Sequence, residues 1–102
     1  MKIIWSPLAI ERAYEEARYI AQDKPEAALK LLDGLFKATD RLERFPKSGR
    51  VVPEIASEEF REVIYKSHLF VYRIEKSSVS ILTVRSFAQQ LDPAELQKST
   101  AG

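Results

Sequence analysis

The chain has 102 residues and contains no cysteine, one histidine and only three glycines. The lack of cysteine excludes disulfides, thiol catalysis and the secreted disulfide-rich scaffolds. A single histidine leaves little for a zinc site, so we predict no metal and no cofactor. No stretch reaches the roughly 20 apolar residues of a membrane span, and acids interrupt the start as no signal peptide would allow. We therefore expect a cytoplasmic protein without membrane contact.

An excess of charge of either sign is also missing. Sixteen Lys and Arg residues face 15 Asp and Glu residues, for a formal net charge of +1. Dedicated nucleic-acid binders are usually strongly basic, so we do not expect this chain to bind DNA directly by itself. Its length predicts one domain, and 45% apolar with 30% charged residues is typical of a soluble globule.

The first half predicts a short strand followed by two helices. "KIIW" at 2–5 is apolar and β-prone, and Ser6-Pro7 is a helix-starting pair. Apolar residues then recur at helical spacing: Ile10, Ala13, Tyr14, Ala17, Ile20 and Ala21. After a restart at Asp23-Lys24-Pro25, a second stripe follows: Ala28, Leu31, Leu32, Leu35, Leu42 and Phe45. Pro46 should end this helix, and the short joint predicts an antiparallel helical hairpin.

The second half predicts a loop and then three strands. Residues 46–60 should be a loop, with a turn of helix near "ASEEF", and strands should follow at 61–65, 68–75 and 79–85. Pairing by loop length predicts one face that covers the helices: Phe70, Tyr72, Ile74, Leu82 and Val84. The opposite face would then hold Val71, Arg73, Ile81, Thr83 and Arg85. The fold class is α+β in the order β-α-α-β-β-β, with a mainly antiparallel sheet.

The segment "FPKSGRVVPE" at 45–54 allows two interpretations. In the first it is a connector that crosses the end of the sheet, with Gly49 in a turn and Val51 and Val52 against the core. In the second, Arg50 or Glu54 faces a partner, because loops on a rigid scaffold often hold binding residues.

Three arginines on the predicted sheet are candidate anion ligands, because a guanidinium can bind phosphate or carboxylate through two hydrogen bonds. They are Arg61, Arg73 and Arg85. Arg85, at the end of the last strand, is the best placed, but it could equally pair with an acid such as Glu62. His68 could act as an acid or base near neutral pH, although an exposed histidine beside a hairpin turn usually has no such role.

Taken together, several motifs resemble the ParE/RelE superfamily of bacterial toxins, in particular its ParE-like branch of plasmid-stabilisation proteins. The motifs are Pro46-x-x-Gly49-Arg50 with Pro53-Glu54, then Arg61-Glu62, and then Val71-Tyr72-Arg73-Ile74. The similarity runs from "IIWSPLAIERAYEEARYI" to about Gln90, and the predicted element order is also that of the family. We therefore expect one RelE/ParE-like domain over residues 1–90 and a tail at 91–102 whose last residues are disordered.

The resemblance implies a toxin that a cognate antitoxin neutralises by laying a partly disordered segment on it. RelE-like members cut mRNA on the ribosome, whereas ParE-like members poison DNA gyrase. Nuclease relatives carry basic residues where this chain has Leu69 or Phe70, and many relatives have His and Arg after the position of Arg85, where it has Ser86 and Phe87. This favours gyrase as the target and an inhibitor rather than an enzyme. A nuclease that uses Arg85 and Arg61 remains an alternative, and so does an antitoxin-binding remnant without toxicity.

The residues that we predict to contact a partner lie in the connector or on the last three strands: Arg50, Glu54, Arg61, Val71, Arg73, Ile81, Thr83 and Arg85.

Overall fold

A computed structural model describes residues 1–87 of the chain. Its elements are β1 (Lys2–Trp5), α1 (Pro7–Ala21), α2 (Pro25–Asp40), β2 (Arg50–Val51), β3 (Phe60–Tyr65), β4 (His68–Ile74) and β5 (Ser78–Ser86), with 3-10 turns at Arg41–Glu43 and Pro46–Ser48. The predicted α+β order is confirmed, and the two-residue strand β2 is added to it. The predicted tail at 91–102 lies outside the described residues.

Helix α1 begins where the sequence predicts. The Ser6 hydroxyl accepts a hydrogen bond of 3.0 Å from the Ala9 N–H, and Pro7 occupies the first turn, where its missing N–H is not needed. The buried face is narrower than predicted. Ile10 and Tyr14 are 40% and 44% exposed, whereas Ala13 and its small neighbours Ala9 and Ala17 are buried. Small residues let the helix approach its neighbours closely; Ala13 and Ala17 belong to the predicted stripe, and Ala9 is added to it.

Helix α2 ends earlier than predicted. It stops at Asp40, and a 3-10 turn carries the chain on to Glu43. Leu42 is fully buried as predicted, but Phe45 is 63% exposed, so its place in the apolar stripe was wrong. Phe45 adopts φ −127° and ψ 68°, because the residue before a proline is driven out of the helical region.

The five strands form one sheet in the order β1-β5-β4-β3-β2. Strand β1 pairs in parallel with β5, and the other pairs are antiparallel. The two-residue turn Lys66-Ser67 joins β3 to β4, with Lys66 in the left-handed region at φ 55°. The N-terminal strand therefore lies beside the last strand, a pairing that no local pattern could predict.

The predicted faces of β5 were wrong at two positions. Phe70, Tyr72, Ile74 and Val84 pack toward the helices, as predicted, but Ile81 joins them and Leu82 faces away. The cause is a β-bulge. Val71 pairs with Thr83 but Tyr72 pairs with Ile81, so Leu82 is the extra residue and the alternation of faces shifts there. Ser6 donates from its N–H to the Ile81 carbonyl and from its hydroxyl to the Leu82 carbonyl, both at 3.0 Å, and so ties the bulge to the start of α1.

Apolar side chains are buried on both faces of the sheet. The main core lies between the sheet and the helices, and a smaller cluster lies on the other face, which we call the outer face. Val52 and Ile55 cover the outer face from residues 52–59, which we call the outer loop. The outer loop contains turns and no helix, so the predicted helical turn near "ASEEF" was wrong. Ala56 takes a left-handed φ of 55° there, which reverses the chain direction.

Candidate functional site

Polar side chains from three strands share the outer face. Glu62 on β3 and Thr83 on β5 flank Val71 of β4 in one cross-strand row. Arg85 and Arg73 lie on the same face, toward opposite ends of the β4–β5 pair. The outer loop passes over this face, so the candidate site is a polar patch beneath a loop.

Three ion pairs join this patch to β2 and to the outer loop. Arg50 Nε lies 2.6 Å from Glu62 Oε1, Arg85 Nη2 lies 3.4 Å from Glu54 Oε2, and Arg73 Nη2 lies 3.8 Å from Glu59 Oε2. Arg85 therefore pairs with an acid, as one of its two interpretations expected, but the acid is Glu54 and not the suggested Glu62. Arg50 lies directly opposite Glu62 in the β2–β3 ladder, and this register places the two side chains in contact.

Glu62 and Thr83 are buried polar groups with incomplete hydrogen bonding. The Glu62 side chain is 1% exposed, and only its Oε1 has a partner. Thr83 Oγ1 is fully buried and makes no hydrogen bond. Buried polar atoms without partners cost free energy, so folded proteins keep few of them. Two such groups in one cross-strand row make this part of the sheet the candidate site.

The residues predicted to contact a partner divide into three groups. The side chains of Arg50, Glu54 and Arg73 are exposed by 62%, 49% and 35%, and that of Arg85 by only 12%. Three others are fully buried, namely Val71, Ile81 and Thr83, and Ile81 faces the helices.

Arg61 forms hydrogen bonds to the backbone of the connector and the outer loop. Its guanidinium donates to the carbonyls of Glu58, Gly49 and Lys47 at 2.9, 3.1 and 3.2 Å.

Tyr72 joins the connector to the core from the helix side. Its hydroxyl donates to the Pro46 carbonyl at 2.6 Å and accepts from the Gly49 N–H at 3.0 Å. A Cβ at Gly49 would lie 2.6 Å from that hydroxyl and 2.7 Å from the Glu62 carbonyl oxygen. Gly49 has an ordinary φ of −77°, so close approach rather than turn geometry requires glycine. Burial raises the pKa of Tyr72, and the hydrogen bond from Gly49 partly opposes that rise.

His68 is not the exposed turn residue that the sequence suggested. It is buried on the helix side, with Nε2 3.7 Å from Glu16 Oε2 of α1 and Nδ1 3.4 Å from the Ser67 hydroxyl. Arg85 lies on the outer face, opposite Leu69. The sheet therefore separates the histidine from the best-placed arginine.

Sequence reasoning assigned Glu62 to the wrong arginine and missed the structural role of the Tyr72 hydroxyl. An acidic residue inside the strand "FREVIY" was the available signal for Glu62, because strand interiors disfavour acids without a partner. Over residues 1–87, no His, Asp and Glu side chains group as metal ligands would. Within the same range, no helix combines the length and hydropathy needed to span a bilayer.

The described residues define an α+β protein. Two helices pack on one face of a mixed, mainly antiparallel sheet, and the outer loop lies on the other face. A solved structure described as the chromosomal ParDE TA system from P. aeruginosa shares this fold, with a TM-score of 0.72 and 17% identity over 84% of this chain and 95% of that chain. A protein of Sinorhizobium fredii (strain NBRC 101917 / NGR234), named "Putative toxin Y4kP", is 35% identical over 91 residues, which span 87% of this chain and 91% of the relative.

The model of the family described as ParE toxin of type II toxin-antitoxin system, parDE, matches residues 3–91. The chain therefore belongs to the ParE toxin family.

Proposed function

We propose that this ParE-family toxin acts by binding and inhibiting DNA gyrase and that a cognate antitoxin neutralises it in the cytoplasm. The observation that carries the choice of target is the separation of His68 from Arg85 by the sheet. Metal-independent cleavage of RNA needs groups that move protons close to groups that stabilise phosphate charge. Because His68 and Arg85 lie on opposite faces of the sheet, binding of a target protein fits this chain better than cleavage of RNA.

The surroundings of the other candidate nuclease residues support the same choice. Arg85 faces a carboxylate, Glu54, which would repel a scissile phosphate. The Arg61 guanidinium already donates to three backbone carbonyls, two in the connector and one in the outer loop. Both arginines are thus held by acceptors of this chain, which leaves them less available to a scissile phosphate.

The antitoxin contact that we propose uses the accessible part of the outer face. Arg50, Glu54 and Arg73 present charges of both signs there, and an extended segment could exchange its own charges for these ion pairs. Val71 lies in one buried cluster with Val52 of the outer loop, so a segment would reach it only if the loop moved, and Thr83 is also fully buried. An ordering segment gains apolar burial that offsets its entropy cost, and the exposed rim supplies specificity.

Gyrase inhibition is tested with the purified chain and purified gyrase. We expect supercoiling to fall and cleaved gyrase–DNA complexes to accumulate as toxin is added. Unchanged gyrase at a high molar excess of toxin would remove the proposal.

The alternatives are separated by two further assays. Toeprinting on a translated message would show ribosome-dependent cuts if the chain were a nuclease, and loss of those cuts in Arg85→Ala would establish that activity. Normal growth on induction of the chain without its antitoxin would identify a non-toxic remnant instead.

A further inference from the structure

A groove of about 490 Å³ lies between α2 and the turn that joins β3 to β4, away from the outer face. Its lining is mostly basic or small: Lys30, Asp33, Gly34, Lys37, Ala38, Tyr65 and Lys66. Neither the predicted partner contacts nor the outer-face ion pairs use these residues. The groove is therefore a candidate binding surface separate from the outer face, and lysines are prominent in its lining.

The two walls of the groove are held together by Tyr65 and Gly34. A Cβ at Gly34 would overlap the Tyr65 ring, so the absence of a side chain there lets the ring lie on α2. The following residue, Lys66, is set by its left-handed φ of 55°, and its ammonium lies 5.5 Å from the Tyr65 ring centre. Gly34 weakens α2 locally, but it lets Tyr65 lie on the helix. Lys66 of the turn then lines the same groove as Lys30 and Lys37.

Positive charge is concentrated in this groove. Three lysines and one aspartate give it a formal charge of +2, against +1 for the whole chain. Lys37 pairs with Asp33 at 3.0 Å, yet the two side chains remain 74% and 64% exposed. That pairing raises the pKa of Lys37. Lys30 and Lys37 are two helical turns apart, which places their Cα atoms about 10 Å apart along the axis.

The basic surface continues toward the start of α2. A second depression of about 510 Å³ shares Lys30 with the groove and adds Lys24 at its rim: Lys24, Pro25, Glu26, Ala27 and Lys30 line it. Each lining also contains small residues, Gly34 and Ala38 in the groove and Ala27 in the second depression, which leave room for side chains of a partner. The combined strip is long enough to receive an extended or helical segment along α2.

We propose that this groove is the surface by which the toxin holds gyrase, and that its partner is an acidic polypeptide segment of that enzyme. The inference rests on the proposed function. A segment with carboxylates about 10 Å apart would meet Lys30 and Lys37, a further carboxylate would meet Lys66, and its own cations or amides could meet Asp33. A nucleic-acid backbone fits less well, because its uniform negative charge would be repelled by Asp33 in the groove lining.

The test compares charge reversals in the supercoiling assay. The groove variant carries Lys30→Glu, Lys37→Glu and Lys66→Glu. The control carries Lys2→Glu, Arg18→Glu and Lys76→Glu, which are exposed positions outside the groove with the same change in net charge. We expect the groove variant to need at least about tenfold more toxin for half-inhibition, whereas the control stays within about twofold of the wild type. Circular dichroism must show that both variants fold.

A gain of inhibition provides the reciprocal test. Asp33→Lys removes the one acid of the groove and should lower the half-inhibition concentration about threefold if the partner segment is acidic. An increase in that concentration would overturn the proposed charge of the partner.

The outcomes separate the two proposals. If the wild type inhibits and the groove variant inhibits equally, the groove is not the contact and gyrase inhibition stands. If the wild type does not inhibit gyrase, both proposals fall. If the wild type binds a 20-base-pair duplex without gyrase and the groove variant does not, the partner is nucleic acid and the proposed polypeptide segment is wrong.

Discussion

At the scale of single residues, the Glu62 carboxylate is the most constrained charge of the outer face. It is almost completely buried, it has one partner in Arg50 at 2.6 Å, and its second oxygen has none. A buried charge is tolerated only while its counter-charge is present, because the interior solvates ions poorly. The pair should therefore respond very differently to removal of one partner and removal of both charges.

We predict that Arg50→Ala lowers the free energy of unfolding by about 2 kcal/mol, less than for a wholly buried pair because the Arg50 side chain is 62% exposed. Adding Glu62→Gln should restore part of the loss, since a neutral amide needs no counter-charge. Urea denaturation measures both variants, with Arg18→Ala on the exposed side of α1 as control. A double variant less stable than Arg50→Ala would contradict this account.

Tyr72 gives the stability of the fold a dependence on alkaline pH. Burial raises the pKa of Tyr72 above its ordinary value of 10.0, so the folded chain keeps a proton that the unfolded chain releases. The unfolded state therefore binds fewer protons above pH 10, and the free energy of unfolding falls as pH rises. Well below pH 10 Tyr72 is protonated in both states, so its ionisation does not reduce the free energy of unfolding there.

We predict that Tyr72→Phe reduces this alkaline loss and costs about 1–3 kcal/mol at neutral pH, because the Pro46 carbonyl and the Gly49 N–H lose their partner. Denaturation series between pH 7 and 11 measure both effects. Tyr19→Phe, at a side chain 74% exposed, is the matched control and should change neither. An unchanged alkaline slope in Tyr72→Phe would show that other groups cause the loss.

At the scale of elements, the outer loop shows which forces hold a segment without regular structure. Val52 is fully buried against Leu69, Val71 and Leu82, whereas the loop carboxylates Glu54 and Glu59 are about half exposed. Exposed ion pairs contribute little to stability, and buried apolar side chains contribute more. The loop should therefore depend on Val52 more than on its charges.

We predict that Val52→Ala costs roughly 2 kcal/mol through the cavity that it leaves, whereas Glu54→Gln with Glu59→Gln together cost less than about 1 kcal/mol. Hydrogen exchange should also quicken in Val52→Ala at the Ile55 and Ala56 amides, which bond to the Val52 carbonyl. Ile64→Ala, at a half-exposed strand position, is the control. If the two glutamine substitutions destabilised the chain more than Val52→Ala, the ion pairs and not the apolar contact would hold the loop.

At the scale of the whole molecule, both helices and the sheet share one main core. Trp5 of β1 lies at its edge, with its ring centre 4.7 Å from that of Phe36 on α2. Since β1 is held between the last strand and the second helix, the N-terminal strand cannot leave without exposing the core of both layers. The elements should therefore unfold together.

We predict a single unfolding transition, with coincident midpoints by far-ultraviolet circular dichroism and by the fluorescence of Trp5, the only tryptophan. Helical signal that persists after the fluorescence change would show that the helical hairpin unfolds separately from the sheet.

The amino-acid sequence by itself determined the local elements of this protein. Ser6-Pro7, the joint before Pro25 and the strand-forming runs placed two helices and the main strands close to their observed positions. The motifs around Gly49 and Arg61 also indicated the toxin family that the comparisons show. These features depend on residues close together in the chain, so helical spacing, capping and β-propensity are enough to predict them.

Only the tertiary structure decided which distant residues meet. It placed β1 beside β5, moved Ile81 and Leu82 to opposite faces through a bulge, buried His68 under α1 and paired Arg85 with Glu54. It also brought Lys66 to the helix lysines across Gly34. One inserted residue reverses the faces of a strand, and side chains far apart in the chain are brought together by packing. Local patterns carry no information on either, because both are set by the fold as a whole.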